Sequence, residues 1–463
     1  MKFFLQPAGW RTLVWLLLAP MYPAYGFHGI WLPAFGADQA GLAGAFYSAY
    51  GSPLVLEENP ALLGRIKGHS FQVSLAVNRA RIDYRDRYYD PATGTFYSNQ
   101  REFKPIAPLP ALGYGYGGDR WAFGVAVYVQ GGGGADFQNL LRPYTETEVK
   151  AERPGTDVLE GQNNLALENV QARFALLKLT PGLSYRWGSL TLGLALDMVH
   201  AKKKLDRHYT RLDGLVLLPG GIHYRSDPAY ALGAKAGLSW EDGPLAIAVS
   251  FISSSRFYLD GRLRTDTYDI QQAGNASVSR YMEWPARFVA GMEYRMGEYR
   301  LVFDVSHTLW SHSMHSLLFT LDETKVLTPL GSRSPYLRMN LLWKDQTVIS
   351  LGLERTLDDL VLRAGYSYGP TVQTEQGVNP LLGTTVEHHI TMGLGWMIGE
   401  SGTPSSFDVA LQYSLPHTVR GAPLSDWWLG HAVQTEPLRA AFFEYEKTTE
   451  VLTLYLGLTL RWE

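Results

Sequence analysis

The chain contains no cysteine among its 463 residues, which excludes disulfides and thiolate metal sites as sources of stability. Its formal net charge of −3 offers no basic surface for phosphate backbones, so the composition argues against a nucleic-acid-binding protein. Beyond the N-terminus, no segment reaches the roughly 18 uninterrupted apolar residues of a membrane-spanning helix. The hydrophobic fraction of 46% is ordinary for a soluble protein, so a membrane segment would have to show itself in the order of the residues.

The N-terminus has the pattern of an export signal. Lys2 and Arg11 precede the apolar segment Leu13–Ala19, and Ala24-Tyr25-Gly26 places small residues at both positions that a signal peptidase reads. We therefore expect residues 1–26 to be a signal peptide that is cleaved after Gly26.

The last residues of the chain alternate strictly between two chemical classes. From Leu452 to Trp462 every second residue is large and apolar, and the residues between them are Thr453, Tyr455, Gly457, Thr459 and Arg461. This period of two indicates a strand whose two faces meet different solvents. The simplest interpretation is the closing strand of a membrane β-barrel, with leucines against lipid and polar residues facing the lumen.

The same period divides residues 69–463 into fourteen candidate strands bounded by turn residues. The segments are His69–Arg81, Leu109–Tyr116, Trp121–Gln130, Ala175–Arg186, Leu190–Lys203, Ala229–Trp240, Pro244–Leu263, Arg287–Met296, Tyr299–Trp310, Thr347–Arg355, Leu360–Tyr368, Val386–Met397, Ser406–His417 and Thr448–Trp462. Their connections alternate between tight turns, such as Trp187–Ser189, and long polar stretches, such as Gly131–Phe174 and Leu205–Tyr224. Short periplasmic turns and long extracellular loops are typical of bacterial barrels, so the sequence predicts an all-β, 14-stranded antiparallel transmembrane β-barrel.

Residues 27–68, which precede the first strand, show neither alternation nor a long helical pattern. They are rich in glycine, alanine and aromatic residues and include Asn59-Pro60-Ala61. A disordered tail is one interpretation, but the aromatic content favours a small N-terminal hatch that plugs the lumen.

Motifs along the chain resemble those of a known family. In the predicted hatch they are Gly36-Ala37, Gly41, Gly44-Ala45-Phe46 and Asn59-Pro60-Ala61-Leu62. Later ones are Leu179-Thr180-Pro181-Gly182-Leu183-Ser184-Tyr185, Leu192-Gly193, Pro285-Ala286, Gly291, Tyr294, Asp304, Trp310-Ser311, Leu362-Arg363-Ala364-Gly365-Tyr366 and Asn379-Pro380. In this order they resemble the FadL/OMPP1/TodX group of outer membrane transporters for long-chain fatty acids and hydrocarbons.

The resemblance implies a plugged barrel that passes long-chain fatty acids or similar hydrophobic compounds from an outer groove to an inner pocket and then sideways into the membrane. Such a path avoids returning an acyl chain to water, which costs on the order of 0.8 kcal/mol per CH₂. It implies no enzyme activity and no cofactor. The expected partners are hydrophobic small molecules, outer membrane lipid and lipopolysaccharide, and the barrel-assembly machinery, with the protein a monomer in the outer membrane of a Gram-negative bacterium.

Two other functions stay open at this point. Neutral or aromatic hydrocarbons could use the same apolar path, and a structural or adhesive barrel would bind no acyl chain. A lipid hydrolase would need a Ser-His pair; Gly365-Tyr366-Ser367-Tyr368-Gly369 has the spelling of a nucleophile elbow but lacks the helix that should follow. His312 and His315, or His388 and His389, are too few to make a metal site.

The family's lateral opening lies at an inward kink of its third strand, and here the third strand runs into Gly131, Gly132, Gly133 and Gly134. Glycines remove side chains and weaken strand pairing, so we predict a bulge or gap that acts as the lateral gate. A flexible start of the following loop is the alternative.

A fatty acid carboxylate requires a cation, and the richest candidates are Lys203 and Lys204 with Arg207, the last of which matches best a basic residue that the family uses near its ligand. The alternative is that these basic residues contact lipopolysaccharide phosphates or water at the outer rim. At the C-terminus, Trp462 is followed by Glu463, and we interpret Trp462 as the functional end of the signal that the barrel-assembly machinery reads.

Overall fold

A computed structural model describes residues 28–48, 51–90, 94–143, 165–215, 217–266, 275–321, 336–377, 381, 385–399, 404–421 and 443–463. The predicted signal peptide, residues 1–26, lies outside the described residues, as do Asn379 and Pro380 of the motif series. Among the described residues, no helix is both long and apolar enough to cross a membrane.

One antiparallel sheet of 21 strands makes up most of the described chain. The strands are β1 (Gly68–Asp90), β2 (Thr95–Phe103), β3 (Ile106–Gly117), β4 (Trp121–Pro143), β5 (Leu165–Trp187), β6 (Leu190–Thr210), β7 (Leu217–Ser226), β8 (Ala229–Asp242), β9 (Leu245–Ile252), β10 (Ser255–Tyr258), β11 (Gly261–Thr265), β12 (Asn275–Trp284), β13 (Arg287–Met296), β14 (Tyr299–Thr308), β15 (Ser316–Leu321), β16 (Tyr336–Asn340), β17 (Gln346–Leu357), β18 (Leu360–Tyr368), β19 (His388–Ile398), β20 (Ser405–Gly421) and β21 (Phe443–Trp462). Short helices occupy Ala37–Ala40, Pro53–Glu57, Pro60–Arg65 and Trp310–Ser313.

Fourteen of these strands close into a ring, which confirms the predicted barrel. In order around the wall they are β1, β3, β4, β5, β6, β8, β9, β13, β14, β17, β18, β19, β20 and β21. The ring closes where β1 pairs with β21 from His69 opposite Trp462 to Tyr88 opposite Phe443. Closure pairs the first strand with the last and so removes the two free edges of the sheet, since a lost backbone hydrogen bond is costly in lipid.

The tight turns among the described residues lie at one end of the barrel. Gly188, Gly243 and Gly297 occupy them with φ of 60°, 54° and 58°, a left-handed conformation that glycine adopts without strain. Because short turns are periplasmic in bacterial barrels, the opposite end of the wall is extracellular.

The two faces of the wall differ as the alternation predicts. The outward residues of β21, from Leu452 to Trp462, are 37–44% exposed, whereas Thr453 and Tyr455 between them are fully buried. The last strand therefore presents leucines to lipid and polar residues to the interior.

At the extracellular end the wall continues farther than the sequence predicts. The predicted loop Gly131–Phe174 contains the outer halves of β4 and β5, and the predicted loop Leu205–Tyr224 contains most of β7. Conversely, the single predicted strand Pro244–Leu263 is divided into β9, β10 and β11. Above the lipid the outward face meets water, so the apolar alternation ends while the backbone pairing continues.

Candidate functional site

The lumen is filled by residues 28–48 and 51–66, which we call the hatch segment. Nearly all of its side chains are buried, including Trp31, Phe46 and Leu56 at 1%, 0% and 0% exposure. These side chains pack against inward residues of the wall, so the aromatic content that argues against a disordered tail serves to fill the barrel.

The Asn59-Pro60-Ala61 motif is seated directly on the wall. Asn59 caps the short helix that starts at Pro60, because its Oδ1 accepts a hydrogen bond from the Ala61 backbone N–H at 3.0 Å. A Cβ atom at Gly193 of β6 would lie 2.6 Å from Ala61 Cα, and one at Gly237 of β8 would lie 3.1 Å from Asn59 Cγ. Glycine is required at these wall positions because the hatch backbone at Gly193, and the Asn59 side chain at Gly237, approach too closely for a side chain on the wall.

Buried ion pairs and hydrogen bonds join the hatch segment to the wall. Arg65 Nε lies 2.6 Å from Glu241 and its Nη1 lies 2.8 Å from Glu293, on the periplasmic side. Farther up the lumen, Arg287 Nη1 lies 2.9 Å from Glu58. Such pairs fix an orientation, since removing one partner would leave a buried charge uncompensated.

The predicted irregularity of the third barrel strand is present in β4. Its register against β5 shifts between Val129 and Gly131, which is a β-bulge at Gln130. Up to Val125 the exposed and buried side chains alternate, but from Tyr128 to Ala135 every residue is buried. The strand therefore leaves the lipid-facing surface at the four glycines and enters the lumen.

A gap in the wall accompanies this inward turn. The ladder between β3 and β4 ends at Ala111 opposite Tyr128 and includes no described residue of β4 beyond that point. The preceding β3 residues include Pro108 and Pro110, which have no backbone N–H to donate. β3 pairs on its other side with β1, so β4 alone moves away.

The bulge is tied to the hatch. Glu57 Oε1 accepts hydrogen bonds from Gln130 Nε2 at 2.7 Å and from Trp31 Nε1 at 3.0 Å. Gly131 forms a β-bridge with Trp31, and a Cβ there would collide with the carbonyl oxygen of Ile30. A movement of the hatch segment would therefore move β4 at the gap.

The three predicted ligand cations do not converge. Arg207 is buried in an ion-pair cluster in which Glu168 lies between Arg207 and Arg142. Lys204 projects outward and pairs with Asp206. Only Lys203 projects into the lumen without an ion pair among the described residues. Alternation along β6 explains this result, since neighbouring residues point to opposite faces.

A second buried cation, which the sequence analysis did not identify, lies beside Lys203. Arg280 of β12 is 1% exposed, and its Cζ lies 5.1 Å from the centroid of the Phe319 ring; Lys203 Nζ lies 6.0 Å from the same ring. Among the described residues, no carboxylate forms an ion pair with either cation. Arg280 lies in a stretch that the sequence analysis assigned to a loop. The only sequence signal that it faces the lumen is its position two residues from the apolar Val278 and Met282 on either side.

Tryptophans connect this region with the hatch. Trp284, on the same strand as Arg280, lies 5.5 Å from Trp31 and 5.8 Å from Trp310, and Trp310 lies 5.3 Å from Trp343, measured between ring centroids. All four rings are buried. They form a continuous aromatic surface inside the barrel that reaches the hatch next to the β4 bulge.

On the extracellular side, a cleft of about 800 Å³ opens between the ends of the strands. Its lining includes Leu342, Lys344, Thr371, Val419 and Arg420. The rest of the lining is polar and includes Glu375, so the cleft combines apolar, basic and acidic side chains.

A sequence model of a family described as outer membrane protein transport protein (OMPP1/FadL/TodX) matches residues 168–426, more than half of the chain. The chain belongs to this OMPP1/FadL/TodX family. Three solved structures have the same fold. A Pseudomonas aeruginosa FadL homologue has a TM-score of 0.69 at 15% identity and covers 93% of this chain and 99% of its own.

The other two are toluene transporters by name. TodX of P. putida has a TM-score of 0.62 at 17% identity, over 93% of this chain and 100% of that chain. TbuX of Ralstonia pickettii has a TM-score of 0.58 at 17% identity, over 93% and 99%. No curated protein matches the chain at a significant level. The solved structures support the fold that the OMPP1/FadL/TodX assignment implies.

Membership of the OMPP1/FadL/TodX family makes the chain an outer membrane transport protein for hydrophobic compounds and not an enzyme. The residues of the candidate catalytic and metal motifs lie within the wall strands. Ser367 lies within β18, and His388 and His389 point to opposite faces, where His388 bonds Tyr366 and His389 bonds Ser414. Among the described residues, no three potential ligands are grouped around one point.

Proposed function

We propose that the protein takes up long-chain fatty acids or similar hydrophobic anions and releases them sideways into the outer membrane. The observation that carries this proposal is the pair of buried cations, Lys203 and Arg280, above the Phe319 ring. Two buried cations without a carboxylate partner are unfavourable. A bound carboxylate would neutralise them, while its alkyl chain could lie along apolar surface and gain about 0.8 kcal/mol per buried CH₂.

The route runs from the extracellular cleft to the two cations, then along the tryptophans to the β3–β4 gap. The hatch segment, which we propose to begin after signal-peptide cleavage at Gly26, closes the straight path into the periplasm. Lateral release at Gly131–Gly134 would let the acyl chain exchange one apolar environment for another.

A binding titration tests the headgroup part of the proposal. Refolded protein in detergent is titrated with oleate and, in parallel, with a neutral hydrocarbon of the same chain length, while tryptophan fluorescence is followed. We expect oleate to bind more tightly, because only the carboxylate can pair with Lys203 and Arg280. Equal or tighter binding of the neutral ligand would contradict the proposal.

A matched pair of variants locates the site. Lys203→Met combined with Arg280→Met should abolish the preference for oleate and leave binding of the neutral ligand unchanged. Lys204→Met is the control, because this substitution removes a charge from the same strand but from a side chain that projects outward. An oleate preference that survives the double variant would assign the carboxylate to another cation.

Uptake of neutral or aromatic hydrocarbons is the second candidate function, and the aromatic surface of Trp31, Trp284, Trp310 and Trp343 favours it. Flat aromatic ligands stack well on indole rings. Tighter binding of toluene or an alkane than of oleate, with no effect of Arg280→Met, would support this function instead.

A further inference from the structure

A row of basic side chains crosses the outer surface of the wall on four adjacent strands. Arg173 of β5 is directly opposite Lys204 of β6, Lys204 is opposite Arg225 of β7, and Arg225 is opposite Arg262 of β11. We call these four residues the outer basic row. Arg173, Arg225 and Arg262 are exposed and Lys204 is half-buried, so all four project away from the lumen.

The row lies immediately above the lipid-facing part of the wall. On the same face of β6, Leu194 is 67% and Met198 is 43% exposed, and Tyr230 of the neighbouring β8 is 73% exposed. This apolar face ends near His200, four residues before Lys204. At about 3.4 Å per residue on a strand tilted by about 40°, Lys204 lies about 10 Å farther out, among the lipid headgroups.

Three of the four charges of the row have no ion-pair partner among the described residues. Among the described residues, Arg173, Arg225 and Arg262 form no ion pair with a carboxylate, and Lys204 pairs only with Asp206. Like charges on directly opposite strand residues destabilise a sheet. Four of them side by side therefore indicate that something anionic lies against this face.

Two acidic side chains beside the row, Asp206 and Asp266, are already engaged. His223 donates to Asp206 through Nδ1 and to Asp266 through Nε2, both at 3.0 Å. These hydrogen bonds raise the pKa of His223 to about 9, so the imidazole is charged at neutral pH. Together with Arg264, whose Nη2 lies 3.7 Å from Asp266, it offsets the two carboxylates. Asp206 and Asp266 consequently subtract little from the positive charge of the row.

We propose that the outer basic row binds the phosphate groups of lipopolysaccharide in the outer leaflet that surrounds the barrel. Arginine presents a planar fork of N–H donors that matches phosphate oxygens. Four strands at about 4.8 Å spacing extend the row over about 14 Å, enough to contact more than one phosphate. The row faces outward, whereas Lys203 and Arg280 face inward, so this site is separate from the transport path.

Binding of labelled lipopolysaccharide to the full-length mature protein in detergent tests the proposal. The variant Arg225→Gln with Arg262→Gln removes two members of the row. The control Arg85→Gln with Arg420→Gln removes two cations that are also exposed and that both lie beside Glu446, toward the extracellular ends of β1 and β20. Dephosphorylated lipopolysaccharide and an anionic phospholipid, phosphatidylglycerol, serve as competing ligands.

We expect the row variant to bind lipopolysaccharide on the order of 30-fold more weakly, since each surface cation contributes about fivefold to binding an anionic lipid surface. The control variant should stay within about twofold of wild type, and wild type should prefer the phosphorylated form. Equal losses in the two variants, indifference to the phosphates, or a preference for phosphatidylglycerol would each overturn the proposal. Unchanged strand content and melting temperature establish that the variants are folded, and an unchanged oleate affinity separates this site from the transport path.

Discussion

Replacing Gly193 with alanine tests how tightly the hatch segment is seated on the wall. The added Cβ would lie 2.6 Å from Ala61 Cα, whereas carbon atoms at their optimal separation are about 3.5–4.0 Å apart. The hatch motif or the wall must therefore move by about 1 Å. Inserting a methyl group into such a close contact costs about 1–3 kcal/mol.

The substitution destabilises the seated position of the hatch segment and leaves the strand pairing of β6 intact. A destabilisation of about 2 kcal/mol raises the population of the displaced hatch about 30-fold, because about 1.4 kcal/mol corresponds to a factor of ten. We expect the variant to fold into a barrel with wild-type strand content, a lower melting temperature and more frequent ion-conducting openings in a planar lipid bilayer.

Gly133→Ala is the matched control for this experiment. Gly133 is also a wall glycine that faces the hatch, but the nearest atom to its added Cβ would be Ile30 Cγ2 at 3.6 Å, an ordinary contact. This variant should melt and conduct like wild type. If Gly193→Ala has wild-type melting and stays closed, the hatch is not held by the contact between Gly193 and Ala61.

The remaining predictions concern the gap, the buried ion pairs and the extracellular histidine. Gly131→Val should reduce uptake of a labelled hydrophobic substrate, because its side chain collides with the hatch, and full transport by this variant would exclude the gate. Gly118→Ala, in the turn between β3 and β4, is the control and should transport normally, because its added Cβ would have no contact closer than 3.6 Å. Glu168→Gln leaves two buried arginines with weaker partners and should lower the free energy of unfolding by about 3–5 kcal/mol, measured by denaturant titration; a change below about 1 kcal/mol would mean that the cluster relaxes into water. The raised pKa of His223, about 9, means that its stabilising contribution is complete below its unfolded pKa of 6.5 and is lost as the pH rises through 9. The melting temperature of wild type should therefore approach that of His223→Gln between pH 7 and pH 10, and a constant difference would show that the imidazolium pairs are not responsible.

The membrane-spanning part of the wall was predictable from sequence because lipid imposes a strict rule on it. Each outward residue from Leu452 to Trp462 meets hydrocarbon and each residue between them meets the interior, so the period of two appears in the sequence without interruption. The bulge near Gly131 was predictable for a related reason. A run of glycines has no side chains to place in lipid or in the interior, so it interrupts the period of two.

The ligand cations were harder to predict because the alternation of apolar and polar residues is imposed only where the wall contacts lipid. At β12 both faces of the wall tolerate polar residues, so only the apolar neighbours Val278 and Met282 distinguish the inward Arg280 from the outward Ser279. For the same reason the sequence identified Arg207 as a cation that could bind a carboxylate but did not show that a protein carboxylate already occupies it. Its guanidinium is engaged by Glu168, a residue from a segment that the sequence analysis assigned to a loop.

The position of the hatch segment has a consequence for biogenesis. It is joined directly to β1, whose first residue, Gly68, lies against the backbone carbonyl of Trp462 at the seam with β21. Pairing of β1 with β21 therefore encloses a segment that is covalently attached to the seam itself. We expect the hatch segment to be in the lumen when this seam pairs, so that seam closure and hatch seating are coupled steps of assembly.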